Sequence, residues 1–272
     1  MTKPIFVVSS GRSGSQLIEK LFSSIKTYDA HHEYLCTHVQ SLAMQKYMNL
    51  RENKDIVNDL KLIYSQAVKF SKKKYFLDSS NKLSWLIDEL SKVFNDAKYV
   101  YIYRDGRNVV SSYYNKLSQE MYDDYSVSTL IDFLESGKDS LRPPPEKKYW
   151  WPIPLDSRLD EFKLMSRFER VCFYWTEVNE TILASLKNLK ESSYMSFDLN
   201  TLTTNYDIFS EFLEFLDVKP SKDLFNIIQK PHNIHIKKDF GLTEDQNKIF
   251  NLLCGRMMKK LGYSGSYSET KY

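Results

Sequence analysis

Residues 4–17 read Pro-Ile-Phe-Val-Val-Ser-Ser-Gly-Arg-Ser-Gly-Ser-Gln-Leu. The run Pro4–Val8 is short, continuous and apolar, the pattern of a strand buried on both faces of a parallel sheet. Ser9–Gly14 is polar and carries two glycines. Beyond it Leu17, Ile18, Leu21, Phe22 and Ile25 recur at helical spacing. The unit is therefore strand, tight loop, helix. In such a unit the loop amides and the helix dipole converge on one point, which suits an anion.

Working outward, the same alternation continues. Tyr75–Leu77 predicts a second strand, ending in Asp78-Ser-Ser-Asn81. Leu83, Leu86, Ile87, Leu90, Val93 and Phe94 predict one helix after it. Lys98–Tyr103 predicts a third strand, broken by Arg104-Asp-Gly-Arg107, with a helix over 108–116. Strands alternating with helices imply a parallel sheet. Further on, Phe168, Val171, Cys172, Trp175, Val178, Ile182 and Leu186 predict a long amphipathic helix. A strand is expected over 193–197 and helices over 205–216 and 221–229. Thr243-Glu-Asp-Gln246 has the form of a capping box, and Gly262 is placed to end the last helix.

The chain has 272 residues, 42% hydrophobic and 27% charged, and one domain over 1–272 is expected. Five of its eight prolines fall within 143–154, so a Pro- and Trp-rich lid or insertion is expected over about 117–157. Lys and Arg total 38 against 35 Asp and Glu, a net charge of +3. This balance gives no reason to expect nucleic-acid binding. Three cysteines without ligand spacing argue against a disulfide scaffold and a metal site. No apolar run approaches the roughly 18 residues of a membrane span. The opening apolar run is too short for a secretory signal, so a cytoplasmic protein is expected.

A P-loop of the ATP-hydrolysing kind needs Gly-Lys-Ser/Thr after its last glycine. Here Gly14 is followed by Ser15 and Gln16, so the lysine and the magnesium-binding hydroxyl are both missing. Arg12 stands two positions before Gly14 instead.

The pair formed by Arg12-Ser-Gly-Ser-Gln16 and by Arg104-Asp-Gly-Arg107 with Ser112 resembles the sulfotransferases that use 3′-phosphoadenosine 5′-phosphosulfate (PAPS). In that family the first loop holds the 5′-phosphosulfate. An Arg at the end of a later strand, and a Ser eight residues on, hold the 3′-phosphate. The spacing fits chemically: Arg offers a bidentate fork to a phosphate dianion, and Ser a hydroxyl on the following helix. The resemblance extends through Asp78–Asn81, Asn95–Lys98, Ser166–Arg170 with Tyr174-Trp175, Phe197–Leu199, Leu242–Gln246 and Leu261–Tyr263. It departs at Gln16, where a second Thr is usual. It departs also in lacking a C-terminal Arg-Lys-Gly, for which Lys237-Lys238 is the nearest basic pair.

The resemblance implies an α/β fold with a central parallel sheet flanked by helices, P-loop NTPase-like topology and helical insertions. It implies transfer of a sulfuryl group from PAPS to a hydroxyl or amine acceptor, releasing 3′,5′-adenosine bisphosphate (PAP), without a metal. Arg12, Ser13, Gly14, Ser15, Gln16, Leu17, Arg104 and Ser112 would hold the nucleotide, and Arg12 would also neutralise charge on the leaving group. For the general base Glu33 is preferred, 21 residues after Arg12 as in tyrosylprotein sulfotransferases. Asp78 follows, placed like the catalytic Glu of heparan-type members, and His32 is third. The acceptor, a small molecule, carbohydrate or peptide, is left open, as is the oligomeric state. Tyr149, Trp150 and Trp151 offer stacking surfaces for it. The alternatives are a nucleotide or nucleoside kinase, and a non-catalytic binding module on the same fold.

Overall fold

The computed structural model describes residues 2–116, 121–135, 151–230 and 241–263. Five parallel strands form one sheet: β1 (Lys3–Val8), β2 (Tyr28–His32), β3 (Tyr75–Ser79), β4 (Lys98–Tyr103) and β5 (Tyr194–Asp198). Their order is β2-β3-β1-β4-β5. Each apolar strand is sandwiched because alternate residues enter different layers. Phe6, Val8, Phe76, Tyr99 and Tyr101 pack into one hydrophobic core. Ile5, Val7, Tyr75, Leu77, Val100 and Ile102 pack into the other.

The first core is completed by α2 (Cys36–Tyr47), α3 (Asn53–Phe70), α4 (Ile87–Val93), α5 (Gly106–Lys116), α6 (Asp124–Glu135), α7 (Leu159–Leu164), α8 (Arg167–Leu186) and, at the far end of the chain, Phe250, Cys254 and Met257. The second is completed by α1 (Ser15–Ser23), α9 (Leu199–Thr204), α10 (Tyr206–Phe215) and α11 (Lys222–Ile228). The last helix, α12 (Glu244–Lys260), opens with the expected capping box: the Thr243 hydroxyl accepts the Gln246 amide and the Gln246 side chain accepts the Thr243 amide.

Two of the departures from the sequence pattern bear on the site. The single helix expected from Leu83 to Phe94 is a 3-10 turn, Lys82–Trp85, followed by α4, with the break at Leu86. The tight turn lets the Ser84 hydroxyl reach back to the carbonyl of Ser9, 2.7 Å away. Strand β2 reads Tyr-Asp-Ala-His-His and has no apolar run. It is an edge strand, paired with β3 alone, so one side needs no apolar neighbour.

Because every strand runs the same way, the loops after β1, β2, β3 and β4 open at one edge of the sheet. The chain leaves β1 toward β2 and leaves β4 toward β5, on opposite sides. Ligands of open α/β sheets bind at such a reversal. Among the described residues no helix is long and apolar enough to cross a membrane.

Candidate active site

The loop after β1 is held in a left-handed path. Gly11, Arg12 and Gly14 have φ of 78°, 54° and 87°. Gly14 is also where α1 meets Leu199, because a Cβ there would lie 2.7 Å from the Leu199 side chain. Gly14 caps α1 without a side-chain hydrogen bond, and the first turn has no acid. The opening amides of a helix have no partner within it. Here they face the crevice with the positive end of the helix dipole.

The loop's inward side is fully tied. Ser10 is buried, and its carbonyl accepts two tyrosine hydroxyls, Tyr113 at 3.0 Å and Tyr174 at 3.1 Å. Asn81 donates to both of these hydroxyls, at 3.4 and 3.2 Å. The Ser13 hydroxyl turns inward to the Gly11 carbonyl at 3.0 Å. Burial raises the Tyr113 phenol well above its usual value and the Tyr174 phenol to about 12, so both are hydroxyl donors at neutral pH.

The two sequence motifs meet here. The Arg12 Nε donates to the Ser112 Oγ at 3.0 Å. The Arg104 guanidinium donates to the Arg12 carbonyl at 3.2 Å. Two guanidinium groups and a hydroxyl therefore gather where the loops after β1 and β4 diverge. Neighbouring Asp105 is engaged elsewhere: it caps the start of α5 through the Arg107 amide and takes the Arg107 fork at 2.6–3.2 Å.

The three candidate bases occupy different environments. Glu33 follows β2, forms an ion pair with Lys82 and keeps 21% of its side chain exposed. Asp78 is fully buried near the end of β3. Its carboxyl accepts the Tyr34 amide at 3.1 Å and the Tyr64 hydroxyl at 2.7 Å. Burial, the largest influence, pushes this carboxyl up to about 7; the Tyr64 and Tyr34 hydrogen bonds oppose that push. His32 lies with its Nε2 3.0 Å from the Ser15 Oγ, so it adjoins the first turn of α1. Of the other expected residues, Gln16 is exposed and Leu17 packs on the second core.

Trp151 packs edge-on against Tyr113 and Tyr174, with ring centroids 6.1 and 5.6 Å away, so it abuts the tyrosines that hold the Ser10 carbonyl. Tyr149, Trp150 and the Lys237-Lys238 pair lie outside the described residues. Asn81, Lys82, Tyr113 and Tyr174 belong to the site although no role was expected of them; Asn81 and Tyr174 fall in segments that carry the resemblance. The position of Asn81 and Lys82 just beyond a strand end was the signal available for those two. Among the described residues no cluster of three or more metal-ligating side chains occurs.

The fold and the crevice define an α/β protein whose first helix starts, without a side-chain cap, at the reversal of the parallel sheet. Residues 4–141 match the sulfotransferase family, and the chain belongs to that family. Its fold is similar to the sulfotransferase domain from the curacin biosynthetic pathway, with a TM-score of 0.53, 14% identity, and 98% and 99% of the two chains covered. A sulfotransferase from Mycobacterium avium gives a TM-score of 0.50 at 11% identity, covering 95% of this chain and 76% of that one. No curated protein sequence matches significantly.

Proposed function

We propose that the protein transfers the sulfuryl group of PAPS to a hydroxyl or amine acceptor and releases PAP, with 1–272 acting as one catalytic domain. The observation that carries this is the convergence of Arg12, Arg104 and Ser112 at the uncapped start of α1. One anion site at a helix start would serve many phosphates. A second cationic and hydroxyl-bearing subsite, one strand away, suits a nucleotide with a separate 3′-phosphate.

The residues divide the work as follows. The loop amides over 12–16 and the start of α1 hold the 5′-phosphosulfate. Arg104 and Ser112 hold the 3′-phosphate, and Arg12 exchanges its contact with Ser112 for the sulfuryl or bridging oxygens. The permanent charge of Arg12 then stabilises the leaving phosphate without giving it a proton. Glu33 accepts the proton of the acceptor hydroxyl as that oxygen bonds to sulfur and the bond from sulfur to the bridging oxygen breaks. Lys82, paired with Glu33, supplies a further cation beside the sulfuryl oxygens. Apart from that exchange by Arg12, the cradle is set before the donor arrives and needs little rearrangement in the transition state.

The test is PAP release from PAPS in the presence of 2-naphthol, a simple sugar or a tyrosyl peptide, beside a parallel assay of phosphoryl transfer from Mg-ATP. PAP release that depends on an acceptor and is lost in Arg12→Ala supports the assignment. Phosphoryl transfer from Mg-ATP, without PAP release, overturns it in favour of a kinase.

A further inference from the structure

The turn between β2 and α2 holds two residues with side chains in the left-handed region, Glu33 at φ 55° and Leu35 at φ 45°. Neither is a glycine, and such backbone persists only where the surroundings over-determine it. Tyr34 stands between them, and its amide donates to the Asp78 Oδ1 at 3.1 Å. The Glu33 amide donates to the Ser79 carbonyl at 3.2 Å, which extends the β2–β3 ladder by one bond. The segment is thus fastened at two consecutive amides, and β3 provides both acceptors.

Asp78 is itself fixed from the other side. Its Oδ2 accepts the Tyr64 hydroxyl, which rises from α3. The Tyr34 ring packs 5.9 Å from the Tyr64 ring and edge-on to Phe76 at 5.5 Å. Asp78 has 0% exposure, whereas the Glu33 side chain is 21% exposed and reaches Lys82. An acceptor hydroxyl must come within hydrogen-bond distance of its base. Glu33 keeps an exposed part beside its Lys82 contact, while Asp78 is fully buried and each of its oxygens holds a donor of the protein.

We propose that Asp78 is a positioning residue: its carboxyl pins the Tyr34 amide and so holds the strained Glu33–Leu35 turn in the one conformation that presents Glu33 beside Lys82. This role rests on Glu33 being the proton acceptor proposed above. It accounts for a buried carboxyl under a turn that two left-handed residues would otherwise let relax. The hydrogen bond from Tyr34 is available to either protonation state of the carboxyl, and also to a carboxamide.

The experiment compares Asp78→Asn, Asp78→Ala, Tyr64→Phe and Glu33→Gln with the wild type. It uses two readouts, hydrogen exchange of the 33–35 amides and PAP release from PAPS with 2-naphthol. In Asp78→Asn the side-chain oxygen still accepts the Tyr34 amide, so exchange stays slow and kcat stays close to wild type. In Asp78→Ala the Tyr34 amide loses protection and kcat falls about 100-fold, the scale of a ~1 Å misplacement, with KM for PAPS unchanged. Glu33→Gln loses about 100-fold or more in kcat, the range of a lost general base, with exchange unchanged. Tyr64→Phe, which keeps the core filled, gives a partial loss of protection if Asp78→Ala does not fold.

Turnover in Asp78→Asn as low as in Glu33→Gln, with exchange still slow, would make Asp78 itself the proton acceptor and overturn the proposal. Unchanged protection in both Asp78→Ala and Tyr64→Phe would overturn it as well. The exchange readout needs no donor, so failure of PAPS chemistry and failure of the Asp78 role are separate results.

Discussion

Arg12 and Ser112 are 100 residues apart in sequence, and the Arg12 Nε donates to the Ser112 Oγ at 3.0 Å. With Arg104 donating to the Arg12 carbonyl, this contact joins the loop after β1 to the first helix beyond β4. On the proposed function, a single donor with two anionic ends would span both. Arg104→Ala and Ser112→Ala should each weaken PAP binding while leaving the fold intact. A hydrogen bond to a charged group contributes about 1.5–3 kcal/mol, so the dissociation constant should rise roughly 10- to 100-fold. Calorimetric titration with PAP and 5′-AMP checks this: the loss should be confined to PAP, and equal losses for both nucleotides would remove the 3′-phosphate assignment.

The Ser10 carbonyl depends on two phenols and one amide. Tyr113→Phe and Tyr174→Phe each delete one donor, an expected loss of about 1 kcal/mol apiece. The double substitution leaves a buried carbonyl without either donor, at about 1–3 kcal/mol for that group, and it strips Asn81 of both acceptors. Its loss in urea unfolding should therefore exceed the sum of the single losses. Strict additivity would show that the two hydroxyls do not share the carbonyl.

Gly14→Ala places a Cβ 2.7 Å from Leu199 at a backbone φ of 87°. Both effects oppose folding, and a left-handed residue with a side chain alone costs roughly 1–2 kcal/mol. A melting-temperature drop of several degrees follows, at about 2–4 °C per kcal/mol for a chain of this size. Adding Leu199→Ala should relieve the clash but not the backbone strain. Full recovery in the double variant would mean that packing alone demands glycine there.

The Asp78 carboxyl is pushed up to about 7 by burial, from an ordinary 3.8. Between those values the native state holds a proton that the unfolded chain has released. Stability from this group is therefore present below pH 4 and declines as pH rises to about 7. Asp78→Asn removes the decline. The stability difference, Asp78→Asn minus wild type, should grow from pH 4 to 7 and then level off, as measured by urea unfolding across that range. A difference independent of pH would place the carboxyl's titration outside this window.

The sheet was legible because Pro4–Val8, Tyr75–Leu77 and Lys98–Tyr103 are apolar on both faces, and a buried parallel strand has to be. Strand β2 was not, because an edge strand satisfies its backbone on one side only and tolerates Asp29, His31 and His32. The split at Leu86 also left no mark in the apolar spacing: it follows from the tertiary bond between Ser84 and Ser9. At the site, Arg12, Arg104 and Ser112 stood out because they fall at the motif positions of the sulfotransferases that the chain resembles, with both arginines just beyond strand ends. Tyr113 and Tyr174 did not, since among 19 tyrosines two that hold one carbonyl look like any two that fill a core. Glu33, Asp78 and His32 were nominated as alternatives by position alone. Their separation into a half-open ion pair, a buried brace and a neighbour of Ser15 depends on which face of the sheet each enters.

The most direct measurement is a thermal-shift comparison of PAP, 5′-AMP and Mg-ATP on the wild-type protein. At about 100 times its dissociation constant a ligand adds roughly 2.7 kcal/mol. At about 2–4 °C per kcal/mol this is a shift of roughly 5–10 °C. The two-subsite crevice of Arg12, Arg104 and Ser112 predicts that rise with PAP, a smaller one with 5′-AMP, and no requirement for magnesium. A rise with Mg-ATP and none with PAP would contradict it.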